Sequence, residues 1–139
     1  MSGRSRLARL ETFVNAYIRT LLWSGSYVTE TGDSFEDAGF TAADLSPDTV
    51  LAIRGDCGLF LALASLADEL TDDELGRAGH DFCLTRNEEG AGFWDGDWDE
   101  RDPKGSLDAV AKLFRPMGLY EGDDGEVCVD GSGLRVGVL

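Results

Sequence analysis

Residues 79–95 read GHDFCLTRNEEGAGFWD. Phe82, Leu84 and Arg86 alternate with Cys83 and Thr85, the period of an extended strand. Residues 87–90, NEEG, have the composition of a turn, and residues 91–94 resume an extended pattern. The stretch is expected to form a β-hairpin.

Upstream the period is helical. Thr71-Asp72-Asp73-Glu74 is a capping-box signature, in which Thr71 and Glu74 satisfy each other's backbone amides, and it predicts a short helix to about Gly79. Ser46-Pro47-Asp48 is a second helix start: an N-cap, a proline at the first turn and an acid on the positive end of the dipole. From there Val50, Leu51, Ile53, Cys57, Phe60, Leu61, Leu63, Ala64, Ala67 and Leu70 predict a helix to about Leu70. It is apolar around much of its circumference and is expected to be the central, most buried helix. Gly55 and Gly58 weaken it by roughly 1 kcal/mol each relative to alanine, and would permit close approach of another element. Residues 7–23 carry Leu7, Leu10, Phe13, Val14, Tyr17, Ile18, Leu21 and Leu22 at steps of three and four, an amphipathic helix. Residues 25–46 read as loop, with one helical turn near 42–45.

Downstream, Pro103 and Gly105 interrupt the chain. Ser106 is expected to cap a helix that turns Leu107, Val110, Ala111, Leu113 and Phe114 inward and ends near Gly118. Residues 119–121 and 126–129 flank Gly122-Asp123-Asp124-Gly125, a hairpin turn signal. Residues 134–139 read as a last short strand. The predicted class is α+β: N-terminal helices packed on a small antiparallel sheet built from hairpin, helix and hairpin. One domain spans 1–139, with a helical part at about 7–79 and a hairpin-rich part at about 80–139.

The 79–95 stretch also resembles a segment of small uncharacterised proteins of bacteriophages and other mobile elements. There the segment runs GHDFWLTRN, a short glycine-containing turn, then GAGFWD. Residues 117–125, MGLYEGDDG, resemble a downstream segment of the same group. This chain departs from the pattern at Cys83, where an aromatic is usual, and at Glu88-Glu89 in the turn. The resemblance implies a mobile-element origin; the odd, sparse cysteine count fits a reducing cytoplasm, here that of a bacterial host. It carries no functional residue across.

Charge is the strongest bulk signal. Twelve basic against 27 acidic residues give a net charge of −15, where a small domain usually carries about 2–8 in magnitude. Such a chain repels phosphates, so direct binding to DNA or RNA is opposed. The favoured partners are basic proteins or cations. No apolar run has the length of a membrane span, and no signal peptide is expected. Cys57, Cys83 and Cys128 form no metal-ligand spacing with the lone His80. They read as small apolar residues in a reducing compartment.

The acids concentrate in 88–102, which holds Glu88, Glu89, Asp95, Asp97, Asp99, Glu100 and Asp102 against Arg101 alone. Asp95-x-Asp97-x-Asp99 opens like an EF-hand loop, but the required glycine and glutamate positions hold Glu100 and Ser106. No metal or other cofactor is expected. No GxSxG, Walker A or GxGxxG motif occurs. His80 is expected to be structural, bonded to backbone at the start of the hairpin, and an enzyme is not expected.

If residues 95–99 are extended, alternate aspartates project to one face about 6.8 Å apart, close to the gap between phosphates on a nucleic-acid strand. Glu88 and Glu89 in one turn, and Glu121, Asp123, Asp124 and Glu126 in the other, would extend that surface. Trp98 among the acids would be an exposed interface anchor. The expected function is therefore an acidic, non-enzymatic inhibitor that blocks the nucleic-acid-binding site of a host defence protein, a CRISPR effector or restriction enzyme, by imitating phosphate charge. Two alternatives stand beside it. One is an immunity protein or antitoxin that neutralises a basic nuclease. The other is a small enzyme or cation-binding protein that uses the 95–102 carboxylates.

Overall fold

Four α-helices come first along the chain: α1 (Gly3–Ser24), α2 (Pro47–Leu63), α3 (Asp72–Arg86) and α4 (Ser106–Ala111). An antiparallel pair follows, β1 (Gly118–Glu121) against β2 (Val127–Asp130), with Leu119 opposite Val129 and Tyr120 opposite Cys128. The computed structural model describes residues 3–24, 32–89 and 92–135. The class is α+β, helices packed on a small two-stranded sheet.

The hairpin expected over 82–94 does not form. Residues up to Arg86 belong to α3, and Phe93–Asp95 is a single 3-10 turn. The expected boundary between a helical and a hairpin-rich part, at 79/80, falls inside this helix. Asp81 through Arg86 are all buried, so the alternation over 82–86 separates no inner face from an outer one. Leu75, Ala78, Gly79, Phe82, Cys83 and Arg86 instead form one buried helical series. The Thr71 cap forms as predicted: its hydroxyl accepts from the Glu74 amide at 3.2 Å, and the Glu74 carboxylate accepts from the Thr71 amide at 3.0 Å.

α3 ends in a Schellman motif. The amide of Glu89 donates to the Leu84 carbonyl and that of Glu88 to the Thr85 carbonyl, the bond pair that defines this helix stop. The motif requires a left-handed residue, usually glycine. Here Glu88 fills it, at φ 57°.

Arg86 is fully buried and gathers the chain around it. Its Nη1 lies 2.8 Å from Asp56 Oδ2 on α2 and donates to the Tyr17 hydroxyl of α1 at 3.2 Å. Its Nε and Nη2 both donate to the Arg115 carbonyl, at 2.8 and 2.6 Å. The guanidinium lies over Phe82 and Phe114, 5.3 Å from each ring. Asp56 in turn accepts from the Gly133 amide at 3.0 Å. Around this group Phe13, Phe60, Phe82, Phe93 and Phe114 stack or meet edge to face, Phe60 and Phe82 at 4.4 Å. Such pairs are each worth about 0.5–1.5 kcal/mol beyond the area they bury.

α1 packs on α3 at Gly79, where a Cβ would run into the Phe13 carbonyl and crowd the Ala16 methyl at 3.1 Å. α2 begins at Ser46-Pro47 as expected, but stops at Leu63 and gives way to a 3-10 turn, Ser65–Glu69. Arg9 donates to the Ala67 and Leu70 carbonyls there, at 2.7 and 2.8 Å, supplying the bonds a continued helix would have made. The turn expected near 42–45 is present as Ala42–Asp44. α4 is shorter than expected, and its first amides are capped by Asp102 rather than Ser106. The hairpin at 118–130 forms as predicted. Of the expected last strand, Leu134 bridges Phe114, and residues 136–139 lie outside the described residues. Cys57 and Cys83 are buried free thiols; burial pushes Cys83 up to about 12 and Cys57 well above its usual range, which makes both unreactive.

Two stability changes follow. Asp56→Ala lowers the unfolding free energy in urea by about 3–5 kcal/mol, because it strands a buried guanidinium, and adding Arg86→Met recovers part of the loss. Glu88→Gly raises stability by about 1 kcal/mol, since the left-handed conformation costs glycine nothing; an unchanged or lower urea midpoint contradicts this.

Candidate functional site

The acid-rich segment lies directly after α3 and is shaped by one side chain, Trp98. The Phe93 amide first ties the chain to α3 by donating to the Thr85 hydroxyl at 3.0 Å. Gly96, at φ 99°, then reverses it. Trp98 turns inside and is only 2% exposed. Its indole N–H donates to Asp81 Oδ2 at 2.6 Å, its edge meets Phe93 at 5.6 Å, and Arg77 covers its ring at 5.0 Å. Trp98 is therefore a core residue and cannot be the exposed anchor expected of it. Trp94, 63% exposed, is the surface indole of this segment, and Trp23 on α1 is exposed as well.

The same packing abolishes the extended ladder. The Asp97 amide donates to Asp95 Oδ1 at 3.1 Å and the Asp99 amide to the Gly96 carbonyl at 3.2 Å, so residues 95–99 form turns. Alternate aspartates on a strand are not formed. Asp102 is also withdrawn from the surface. It is buried, and accepts from the Ser106 amide and hydroxyl and the Leu107 amide at 2.7–3.0 Å, capping α4.

Asp95, Asp97, Asp99 and Glu100 remain exposed. They lie along α3: Asp97 and Glu100 near Glu74 and Arg77, and Asp95 and Asp97 near Gly76, His80 and Asp81. Asp97, Glu100 and Glu74 line one shallow depression with Arg77 and Arg101. Arg101 ties the two segments together, donating to the Glu69 carbonyl at 2.6 Å and pairing with Glu74 at 3.0 Å. Backbone bonding from Thr71 holds the Glu74 carboxyl below its usual range, with Arg101 assisting. Arg77 is committed to Trp98 and Arg101 to Glu74, so the four carboxylates at 95–100 have no dedicated basic partner among the described residues.

The other expected acids are held elsewhere. Glu121, Asp123, Asp124 and Glu126 sit in the β1–β2 turn beside the N-terminal end of α2, where Ser46 donates to the Val127 carbonyl and Asp48 acts on Glu126. Glu88 lies 3.8 Å from Arg135 and lines a depression with Thr85, Trp94 and Lys112. Glu89 is half-buried. The twelve residues expected to share one surface therefore divide into an exposed group at 95–100, a hairpin group, a pair at the end of α3, and two buried members.

A cleft of about 480 Å³ opens beside the 95–100 group, lined by Arg19, Trp23, Arg77, His80, Asp95 and Asp97. His80 does not bond to backbone as expected. Its Nδ1 lies 2.7 Å from Asp81 Oδ1, and its ring lies 5.9 Å from Trp23. An ionised Asp81 places the imidazole proton on Nδ1 and leaves Nε2 as an acceptor. Burial pushes the Asp81 carboxyl up, against the bonds from Trp98 and His80 that favour its charge. Among the described residues the lining holds no serine or cysteine, and its one hydroxyl, that of Thr20, donates to the Ala16 carbonyl at 2.8 Å. Among the described residues, no three His, Cys, Asp or Glu side chains gather where a metal ion would sit, and no helix is long and apolar enough to cross a membrane. Arg19, Trp23 and Arg77 carry no motif. Only their packing against α3 and Trp98 makes them neighbours of the acids.

Asp81 gives the site a pH dependence. Its folded carboxyl binds a proton more readily than the unfolded one, so its ionised form costs stability at neutral pH, and that cost is relieved as pH falls through the raised value. Wild type should gain stability relative to Asp81→Asn between about pH 7 and about pH 4; paired urea titrations read the difference, and a gap that widens against wild type on acidification contradicts the assignment.

The chain matches no protein-family model, no curated protein and no solved structure.

Proposed function

We propose that the chain is an acidic, non-enzymatic inhibitor that binds a basic protein at its nucleic-acid site. One observation carries this reading: Asp95, Asp97, Asp99 and Glu100 are exposed on a turn fastened from inside by Trp98 and Asp102. Charge held this way costs little ordering on binding, and its field steers a cationic partner towards it. The imitation of phosphate is one of charge density, without the regular spacing of a strand. Trp94, next to Asp95 and exposed, supplies the aromatic contact. The resemblance to mobile-element proteins favours a host defence protein as target, a CRISPR effector or a restriction enzyme.

The test is competition. Purified defence complexes from both classes are mixed with the protein, and their DNA binding is read at low and high salt. The expected result is loss of DNA binding at low salt, fading as salt rises. Replacing Asp95, Asp97, Asp99 and Glu100 together by Asn and Gln weakens the effect by about tenfold or more, an affinity loss of about 1.4 kcal/mol. Trp94→Ala weakens it too. Neutralising Glu121, Asp123, Asp124 and Glu126 changes it by less than about twofold, as expected of rim charges away from the contact. No competition at low salt, or equal loss from both acidic sets, removes the proposal.

A further inference from the structure

α2 is apolar on both sides, yet the chain covers only one. Ile53, Cys57 and Phe60 are fully buried. Opposite them Leu51, Leu59 and Leu63 are 69, 37 and 45% exposed. With Gly55 they fall four residues apart, on one stripe along the helix. Gly55 and Gly58 weaken a helix, but a Cβ at either would meet nothing within 4 Å. No described part of the chain uses the space they leave. The face carries little charge. Along α2 the charged residues are Asp48, exposed in the first turn, Arg54, paired with Glu11, and Asp56, buried on Arg86. On a chain of net charge −15 this is where a second copy meets least repulsion. A groove of about 650 Å³ between α1 and α2 adjoins this face, with Leu10, Gly58, Leu61 and Ala62 on its apolar side and Arg6, Arg9 and Asp68 at its charged end.

We propose that two copies of the chain associate through this face, α2 antiparallel to α2 across a two-fold axis near position 57. The stripe is self-complementary in that arrangement, as a two-fold contact requires. Leu51 meets the partner's Leu63, and Leu59 enters the hole over the partner's Gly55. The glycines let the helix axes approach to the short end of the usual 8–10 Å or so. One helix face and its groove bury less than the roughly 800 Å² per partner of a standard interface, so the dimer forms in about the micromolar range. This contact shares no residue with the 95–100 turn. Salt also acts on the two in opposite directions, strengthening an association of two like-charged chains and weakening an acid–base contact.

Light scattering and sedimentation of the whole protein, over a roughly hundredfold concentration range at low and high salt, test the proposal. The mass should rise from 15.0 kDa to twice that with concentration, and more readily in high salt. Leu59→Glu should stay at 15.0 kDa while melting like dilute wild type. Gly55→Ala should raise the melting temperature of the dilute protein and weaken association by about tenfold, because the added methyl fills the hole. Wild type that keeps the mass of one chain throughout overturns the proposal. So does Leu59→Glu pairing as readily as wild type, or Gly55→Ala leaving association unchanged.

Discussion

The structure depends on a charge placed where water cannot reach it. Arg86 sits at the end of α3 with its guanidinium between two phenylalanine rings, and every direction of its fork finds an acceptor: Asp56, Tyr17 and the Arg115 carbonyl. A buried arginine is tolerable only when its donors are all satisfied. That condition fixes the positions of α1, α2, the segment after α4 and, through Asp56 and Gly133, the chain beyond β2. Replacing such a pair by hydrophobic residues can cost little. Its value here is geometric, because few other packings give one guanidinium these partners together.

The other side of α3 organises the surface. Asp81 points away from Arg86's cluster and takes the indole N–H of Trp98 and the ring N–H of His80. Trp98 drags residues 95–99 into turns and leaves their carboxylates outside. One helix therefore carries a buried cation for the core and a buried anion for the site, within six residues. The exposed acids owe their position to an apolar anchor beneath them.

Much of the helical architecture was legible because its signals are local. The Thr71–Glu74 capping box, the Ser46-Pro47 start, the amphipathic period of α1 and the Asp-Gly turn between the strands each need only a few neighbouring residues. The differences have two causes. Arg86 and Trp98 are buried by partners distant in sequence, whereas Asp102, expected on the surface, is withdrawn locally by capping Ser106 and Leu107. Trp98 meets Asp81 seventeen positions away, and Arg86 meets Tyr17 sixty-nine positions away. The alternation over 82–86 resembles a strand only if one of its sides faces outward, and in α3 both sides are buried. Glu88 hid the end of the helix as well, because it occupies a position where glycine is the usual signal. Of the expected site residues, Asp95, Asp97, Asp99 and Glu100 stay exposed on one turn beside α3, while the hairpin acids go with α2.

By itself the amino-acid sequence determined the class of fold, where α2 and α3 begin, and a net charge of −15. These follow from composition and from interactions within a turn or two of the chain. Tertiary structure decided which polar and aromatic side chains face inward, and hence which acids reach solvent together and which side of α2 is left bare. Those outcomes rest on hydrogen bonds and ring contacts between residues far apart in the chain, and no local period encodes them.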